Sequence, residues 1–392
     1  MSDKEESRKT DNGNVTMPEI TLSCAAKRLL TWYEENRRTL PWRDDPSPYH
    51  VWLSEIMLQQ TRVETVKGYY ERFLNNIPDM ETLARFPEDE LLKLWEGLGY
   101  YNRVRNMQKA AIRIVDHYGG RMPSSYEEIL SLPGIGAYTA GAIASMAYGQ
   151  AVAAVDGNVL RVCTRLLLRD DDIGKESFKT EIKKVLEDVI QDVDGKENRD
   201  KSCAGALNQA LMDLGAMVCV PGTSPACIRE GNEAEDGGGC ACPLSDICRA
   251  HALHREAEFP NKAKKPDRKI EKKTVLILSC NDRILIHKRP ETGLLAGLYE
   301  LPSLEGWAGR KRVLSYAKEL GFNGLKIEIL PDSKHIFSHR EWHMRAYMIR
   351  ADELSADIPV TDKDENFLLA ESEVIRNKYP IPSAFSAYRE YL

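Results

Sequence analysis

YEEILSLPGIGAYTAGAIASMAYG, residues 126–149, sets Leu132-Pro133-Gly134-Ile135-Gly136 between two runs whose apolar residues recur every three or four positions. Such a pattern predicts two helices joined by a tight glycine turn. Without a Cβ, glycine lets a ligand approach the main chain closely, and the first turn of the second helix leaves its amide groups pointing outward. That geometry suits a phosphate. The same glycines also serve a plain helix-to-helix connection, and the pattern alone does not separate the two readings.

Working outward, the helical texture runs from Thr21 to about Ala250, with periodic segments at Glu90–Leu98, Tyr126–Leu132 and Phe178–Ile190. Breakers separate them at Pro78, Gly119-Gly120, Pro133-Gly134 and Asp156-Gly157. Residues 1–20 are polar and aperiodic, which predicts a disordered tail. NKAKKPDRKIEKK, residues 261–273, carries seven Lys/Arg against two acids. It closes a basic linker over 256–273 that could also touch phosphate. Beyond it the period changes, and KTVLILSCNDRILIHKR predicts a β-hairpin around Cys280-Asn281-Asp282. A mixed α+β domain over 274–392 follows, and no internal repeat suggests a solenoid.

With 392 residues, 42% hydrophobic and 29% charged, the chain has room for two or three domains. Neither a signal peptide nor an apolar run of about eighteen residues is visible, so the expectation is an intracellular protein without a membrane segment. The net charge of −6 does not exclude nucleic acid, because affinity follows a local basic footprint. Five of the nine cysteines (Cys219, Cys227, Cys240, Cys242, Cys248) crowd into thirty residues. In an intracellular chain that crowding points to a metal or cluster site rather than disulfides.

Taken with LPWRDDPSPYHVWLSEIMLQQTRVETV (40–66), WEGLGYYNRVRN (95–106) and VDGNVLRV (155–162), the helix pair closely resembles the endonuclease III superfamily of DNA glycosylases. Within it the chain is similar to the MutY-type adenine glycosylases over residues 22–250. The resemblance implies an all-α helix-hairpin-helix glycosylase domain over 21–255, with a cluster loop at 219–248. It also implies a monofunctional enzyme that hydrolyses adenine from deoxyribose opposite 8-oxoguanine or guanine, leaving an abasic site for base excision repair. Gly134, Ile135 and Gly136 would then bind DNA backbone.

Breaking a base–sugar bond calls for an acid that improves the leaving group and an anion that stabilises an electron-poor sugar. Glu55 sits in the apolar run VWLSEIML, where desolvation raises a carboxyl pKa. Asp156 precedes Gly157-Asn158 and a new helix, whose N-terminus favours the ionised form. The two environments are therefore expected to push in opposite directions. Taken without the resemblance, Asp156 is a plain helix cap and Glu55 a carboxylate reaching the surface. The resemblance makes Glu55 the acid that protonates adenine, gives Asp156 the sugar cation by electrostatics or a transient covalent bond, and has Asn158 hold the site. Tyr138 stands where strand-nicking relatives carry an attacking lysine. A phenol forms no imine, so strand nicking is expected to be weak or absent.

Reaching a stacked base requires wedges and polar readers. Leu58-Gln59-Gln60-Thr61 and Leu98-Gly99-Tyr100-Tyr101 supply both types, which makes Gln60, Thr61, Leu98 and Tyr100 the expected DNA contacts. By resemblance, Gln60 and Tyr100 occupy the stack near the orphaned base, while Trp42, Arg43, Leu58, Gln209 and Met212 line the adenine pocket. Gln209 stands where some members carry Glu. Read alone, a tyrosine such as Tyr100 is more often a core residue than a wedge.

The family's Cys-x6-Cys-x2-Cys-x5-Cys spacing holds one 4Fe-4S iron-sulfur cluster. Here seven residues separate Cys219 from Cys227, and Cys242-PLSDI-Cys248 keeps the last interval. The second ligand is Cys227 or Cys240; Cys227 is favoured, with the acidic, Gly-rich stretch between them looped out at modest entropic cost. Thiolates also suit zinc, and the glycosylase resemblance tips the reading to iron-sulfur.

Residues 274–392 resemble the Nudix-like C-terminal domain of the same family, through RPETGLLAGLYELPS and FSHREWHM. LSYAKELG keeps Glu319 and Gly321 of the magnesium-binding block but lacks its other carboxylates, which predicts no pyrophosphatase activity. Phe337, Ser338 and His339 match the residues that read 8-oxoguanine. Without the resemblance they are a strand end, with His339 a possible interior histidine.

Two other readings compete. Tyr138 and the C-terminal domain oppose a bifunctional pyrimidine-damage glycosylase, and the intact carboxylates oppose a non-catalytic lesion binder. The expected partner is double-stranded DNA, bound by a monomer. A sliding clamp or another repair protein stays open as a further partner, although no clear clamp motif is visible in the polar N-terminus or in IPSAFSAYREYL. The expected location is with the DNA: nucleus or mitochondrion in a eukaryote, cytoplasm in a bacterium.

Overall fold

The computed structural model describes residues 22–197, 202–222, 227, 242–263, 266–355 and 366–392. The tail 1–20, Cys240 and nearly all of the insertion before Cys242 lie outside them. The chain forms two compact units, one from Met1–Gln59 with His117–Lys264 and one from Gln60–Asp116 with Lys265–Leu392. The helical stretch is thus divided between both.

The first unit is helical. Ser47 caps helix Pro48–Leu58 by accepting from the His50 amide, and a proline opens its first turn. The helix is buried from Val51 through Met57, so Glu55 has no polar face to escape to. Helices Tyr126–Leu130 and Ala137–Met146 form the hairpin, the first ending two residues before the Leu132 of the sequence reading. The turn between them passes through Gly134 at φ +75°, a left-handed conformation that strains any other residue. Ala137–Met146 then packs closely on the next segment, since a Cβ at Gly141 would lie 2.7 Å from the Ala153 carbonyl oxygen. Asp156 caps helix Gly157–Leu167 through the Asn158 and Val159 amides. Glu176–Glu197 extends the helix expected over 178–190 at both ends, and Ala204–Met217 completes the core.

In the second unit, helices Val63–Asn76, Met80–Arg85, Glu88–Leu94 and Asn102–Tyr118 accompany a mixed sheet. The helix expected to reach Leu98 stops at Leu94, because Gly97 and Gly99 adopt φ +102° and +70° and turn the chain. The strands are β1 (Lys269–Cys280), β2 (Arg283–Lys288), β3 (Tyr299–Glu300), β4 (Ser303–Glu305), β5 (Phe322–Asn323), β6 (Lys326–Ile336), β7 (Arg340–Ala351), β8 (Glu353–Leu354) and β9 (Phe367–Glu371). The main sheet runs β3-β2-β1-β7-β6, with β4 on β1 and β9 on β2; β1 and β7 are parallel.

β1 takes in Lys269–Lys273, the last five residues of the stretch read as linker. The hairpin read at Asn281-Asp282 is present, both residues having positive φ as a two-residue turn of this kind demands. Alternate β1 residues supply two cores. Val275 and Ile277 pack with Trp342 and Phe385, while Leu276 and Leu278 pack with Val313 and Ala317 of helix Arg310–Glu319. The helices at 60–116 are tied to β2 and to the C-terminal segment: Lys288 pairs with Asp89 at 3.2 Å, Lys93 donates to the Tyr379 carbonyl at 3.0 Å, and Arg389 pairs with Glu96. Among the described residues, no helix is long and apolar enough to cross a membrane.

Candidate active site

Glu55 is 7% exposed on helix Pro48–Leu58, and the Tyr138 hydroxyl donates to its Oε2 at 2.5 Å. Burial pushes the Glu55 carboxyl up to about 7. The Tyr138 bond and the positive charge of Arg43 oppose that rise, while the charge of Asp156 adds to it. Burial and the Glu55 charge together raise the Tyr138 phenol far above its ordinary range, so it stays a proton donor.

Asp156 departs from expectation. Its carboxylate accepts from the Asn158 and Val159 amides at 2.9 and 2.8 Å and from Asn158 Nδ2 at 2.8 Å, all of which favour the charged form. Burial outweighs them, and its pKa is raised, not lowered. The helix cap was legible in sequence, but the depth of Asp156 was not. Both carboxyls are therefore pushed upward, and what distinguishes them is their partners. Among the described residues, Asp156 accepts three hydrogen bonds that favour its charged form, whereas Glu55 accepts one, from the Tyr138 phenol, against a strong burial penalty.

The network continues along the same helix. Arg161 donates to Asn158 Oδ1 at 2.9 Å, to the Gly215 carbonyl at 2.6 Å and to the Cys219 carbonyl at 2.8 Å. Arg165, one turn on, donates to Cys219 Sγ at 3.3 Å and to the Val220 carbonyl at 2.9 Å. Both arginines are absent from the sequence reading, although two arginines four apart in the apolar run VLRVCTRLL were a visible signal. Asp213 was missed too. Its side chain is fully buried and receives Arg43 at 2.8 and 2.9 Å and Arg38 Nε at 2.8 Å.

Of the expected pocket residues, Met212 lies with the acid, its sulfur 3.8 Å from the Tyr138 hydroxyl. Arg43 is tied to Asp213, the residue after Met212, and Trp42 is buried beside it in the short helix Pro41–Asp44. Leu58 ends its helix half-buried, and the Gln209 amide is turned back on its own helix at Gly205. Ile135 is buried between Gly134 and Gly136.

The remaining expected DNA contacts lie in the second unit. Gln60 is exposed with φ +58°, and Thr61 is half-buried. Leu98 is packed inside, whereas Tyr100 is 50% exposed and hydrogen-bonded to Ser338 at 2.9 Å. Phe337, Ser338 and His339 form the turn between β6 and β7, closed by the Phe337 amide on the Arg340 carbonyl at 2.9 Å. The Phe337 ring stacks edge-on against Trp342 at 4.9 Å, while Ser338 and His339 are exposed, which removes the interior reading of His339.

Cys219, Cys242 and Cys248 pack against one hydrophobic cluster, the short turn Ser245–Ile247 bringing the last two round. Ligand atoms of Cys227, His251 and Glu256 lie within 4.8 Å of one another; among the described residues the other three sulfurs are not in that group.

Residues 53–188 match the HhH-GPD superfamily of base excision DNA repair proteins, and residues 274–390 match the NUDIX domain. Together with the fold, these matches define a helix-hairpin-helix DNA glycosylase carrying a Nudix-like C-terminal domain. The adenine DNA glycosylase of Mus musculus is 33% identical over 386 residues, 84% of this chain and 71% of the mouse protein. That of Buchnera aphidicola subsp. Baizongia pistaciae is 34% identical over 331 residues, 83% of this chain and 86% of its own. The chain belongs to the adenine DNA glycosylase family. A non-covalent endonuclease III–DNA complex is 23% identical, with a TM-score of 0.47 over 60% of this chain and 99% of the other.

Proposed function

We propose that this protein hydrolyses the N-glycosidic bond of adenine mispaired with 8-oxoguanine or guanine, leaving an abasic site. The observation that carries the reading is a buried acid with its pKa pushed to about 7, hydrogen-bonded by a phenol and under the field of a second, half-buried carboxylate. At neutral pH a large share of Glu55 is protonated and able to give its proton to adenine. The C–N bond breaks with its electron pair leaving on the base. Asp156, in its charged form, which three donors favour, stabilises the positive sugar until water adds to its carbon and releases a proton. Tyr138, engaged with Glu55, supplies no amine, so the strand stays intact until alkali or another enzyme acts.

Recognition of the opposite base falls to the exposed turn Phe337–His339 in the domain over 274–392, with duplex DNA as partner. A 4Fe-4S cluster is assigned to Cys219, Cys227, Cys242 and Cys248. In support, three of these sulfurs share one hydrophobic patch and the Arg165 guanidinium faces Cys219. Such a cluster would brace the loop, hydrolysis requiring no electron transfer. Iron and sulfide analysis of the purified protein checks the assignment.

Initial rates on duplexes with adenine opposite 8-oxoguanine, guanine and thymine, for the wild type and Ser338→Ala, test the substrate. The reading expects 8-oxoguanine to be preferred and Ser338→Ala to narrow its lead over guanine. Equal rates on all three would overturn it.

A further inference from the structure

We infer that Arg103 is the positioning residue that holds Tyr100 outward as the duplex-opening wedge. The inference rests on the reading of Leu98–Tyr101 as the segment that enters DNA. One Arg103 nitrogen donates to the Leu98 carbonyl at 2.9 Å and to the Gly99 carbonyl at 3.0 Å, while Trp95 Nε1 donates to the same Gly99 oxygen at 3.1 Å. The guanidinium also lies over two rings, 5.3 Å from the centre of Trp95 and 5.7 Å from that of Tyr100.

Tyr100 needs such a brace. Its φ of +48° is left-handed, a conformation a tyrosine does not keep unaided, and Gly99 before it is at φ +70°. The ring is half exposed and its hydroxyl meets Ser338 at 2.9 Å, but that contact at the tip does not fix the left-handed bend at its base. Arg103 is itself placed at some cost. It stands in the first turn of helix Asn102–Tyr118, where a positive charge opposes the helix dipole, and it is half-buried. Burial brings its pKa down to about 10, still leaving it charged at neutral pH. A cation kept there is accounted for by what it grips: the two carbonyls of the bend and the face of the ring that the bend presents.

The full-length protein is tested as Tyr100→Ala, Arg103→Ala, Arg103→Lys and the Tyr100→Ala/Arg103→Ala double variant. Single-turnover adenine release is measured from two duplexes. In one, adenine lies opposite 8-oxoguanine; in the other it lies opposite an abasic gap, where unpairing costs little. Arg103→Ala should slow the first by roughly tenfold or more and the second by no more than about twofold, with Arg103→Lys between it and the wild type. Added to Tyr100→Ala, it should cost nothing further. Equal losses on both duplexes, or losses that add in the double variant, reduce Arg103 to an ordinary structural residue and overturn the inference. A wild-type rate for Arg103→Ala beside a slow Tyr100→Ala overturns it while leaving the wedge reading intact. A wild-type rate for Tyr100→Ala removes the wedge reading itself, and the inference with it.

Discussion

Tyr138 donates its phenolic proton to Glu55 at 2.5 Å, joining the second helix of the hairpin to the buried helix that carries the acid. This bond favours the ionised carboxylate and holds the Glu55 pKa below the level burial alone would set. The pH profile of single-turnover adenine release should therefore fall above pH about 7 as Glu55 loses its proton. In Tyr138→Phe the falling limb should move to higher pH, by about one unit if the bond is worth what hydrogen bonds to charged groups usually are. A limb that stays in place or moves down would separate it from Glu55.

The same burial has a cost in stability. An acid whose folded pKa lies above its ordinary value ionises first in the unfolded chain, so the folded state loses ground once pH rises past that ordinary value. For Glu55 the loss should begin near pH 4.5 and be complete above pH about 7, amounting to about 3 kcal/mol at most. Glu55→Gln should accordingly melt higher than wild type at pH 8 and show little difference at pH 4. Melting curves at the two pH values measure it.

Asp213 has the opposite sign. Burial works to raise its pKa, but the pairs with Arg43 and Arg38 prevail and hold it below the ordinary value. Its contribution is present above pH about 4 and is lost as pH falls through the lowered pKa. Asp213→Asn leaves two arginines without their shared carboxylate and should cost about 3–5 kcal/mol at pH 7. Denaturant titration should find that deficit shrinking as pH is lowered towards 3.

Gly215 packs against Asn158 and Arg161, beside Asp156. A Cβ there would lie 2.7 Å from Asn158 Cβ and 3.3 Å from its Cα. Gly215→Ala must therefore displace Asn158, which bonds Asp156 directly. Adenine release should slow by about tenfold or more, with a stability loss of about 1–3 kcal/mol. Single-turnover kinetics beside thermal melting report both, and an unchanged rate would show that Asn158 does not set the position of Asp156.

Much of this was legible in the sequence because local signals carried it. The glycine turn at Gly134, the hairpin at Asn281-Asp282, the burial of Glu55 among Val51, Trp52 and Ile56 and the Asp156 cap each follow from a few neighbouring residues. What was missed depends on residues distant in the chain. Arg161 reaches Cys219 and Gly215 across more than fifty positions, and Asp213 gathers Arg38 and Arg43 across some 170. The pKa direction of Asp156 failed for the same reason, since burial is set by the packing of segments that sequence spacing does not bring together. Likewise, nothing in the spacing of Leu98 and Tyr100 shows that one packs inward and the other outward. That split is made by the bends at Gly97 and Gly99.

The most direct test of the central claim is single-turnover cleavage of a duplex holding adenine opposite 8-oxoguanine, comparing wild type with Glu55→Gln, each with and without alkali. Hydrolysis by a buried acid predicts that strand breaks appear in the wild type only after alkali and disappear in the variant. Adenine left in place by the wild type, nicking without alkali as fast as base loss, or a Glu55→Gln variant as active as wild type would contradict it.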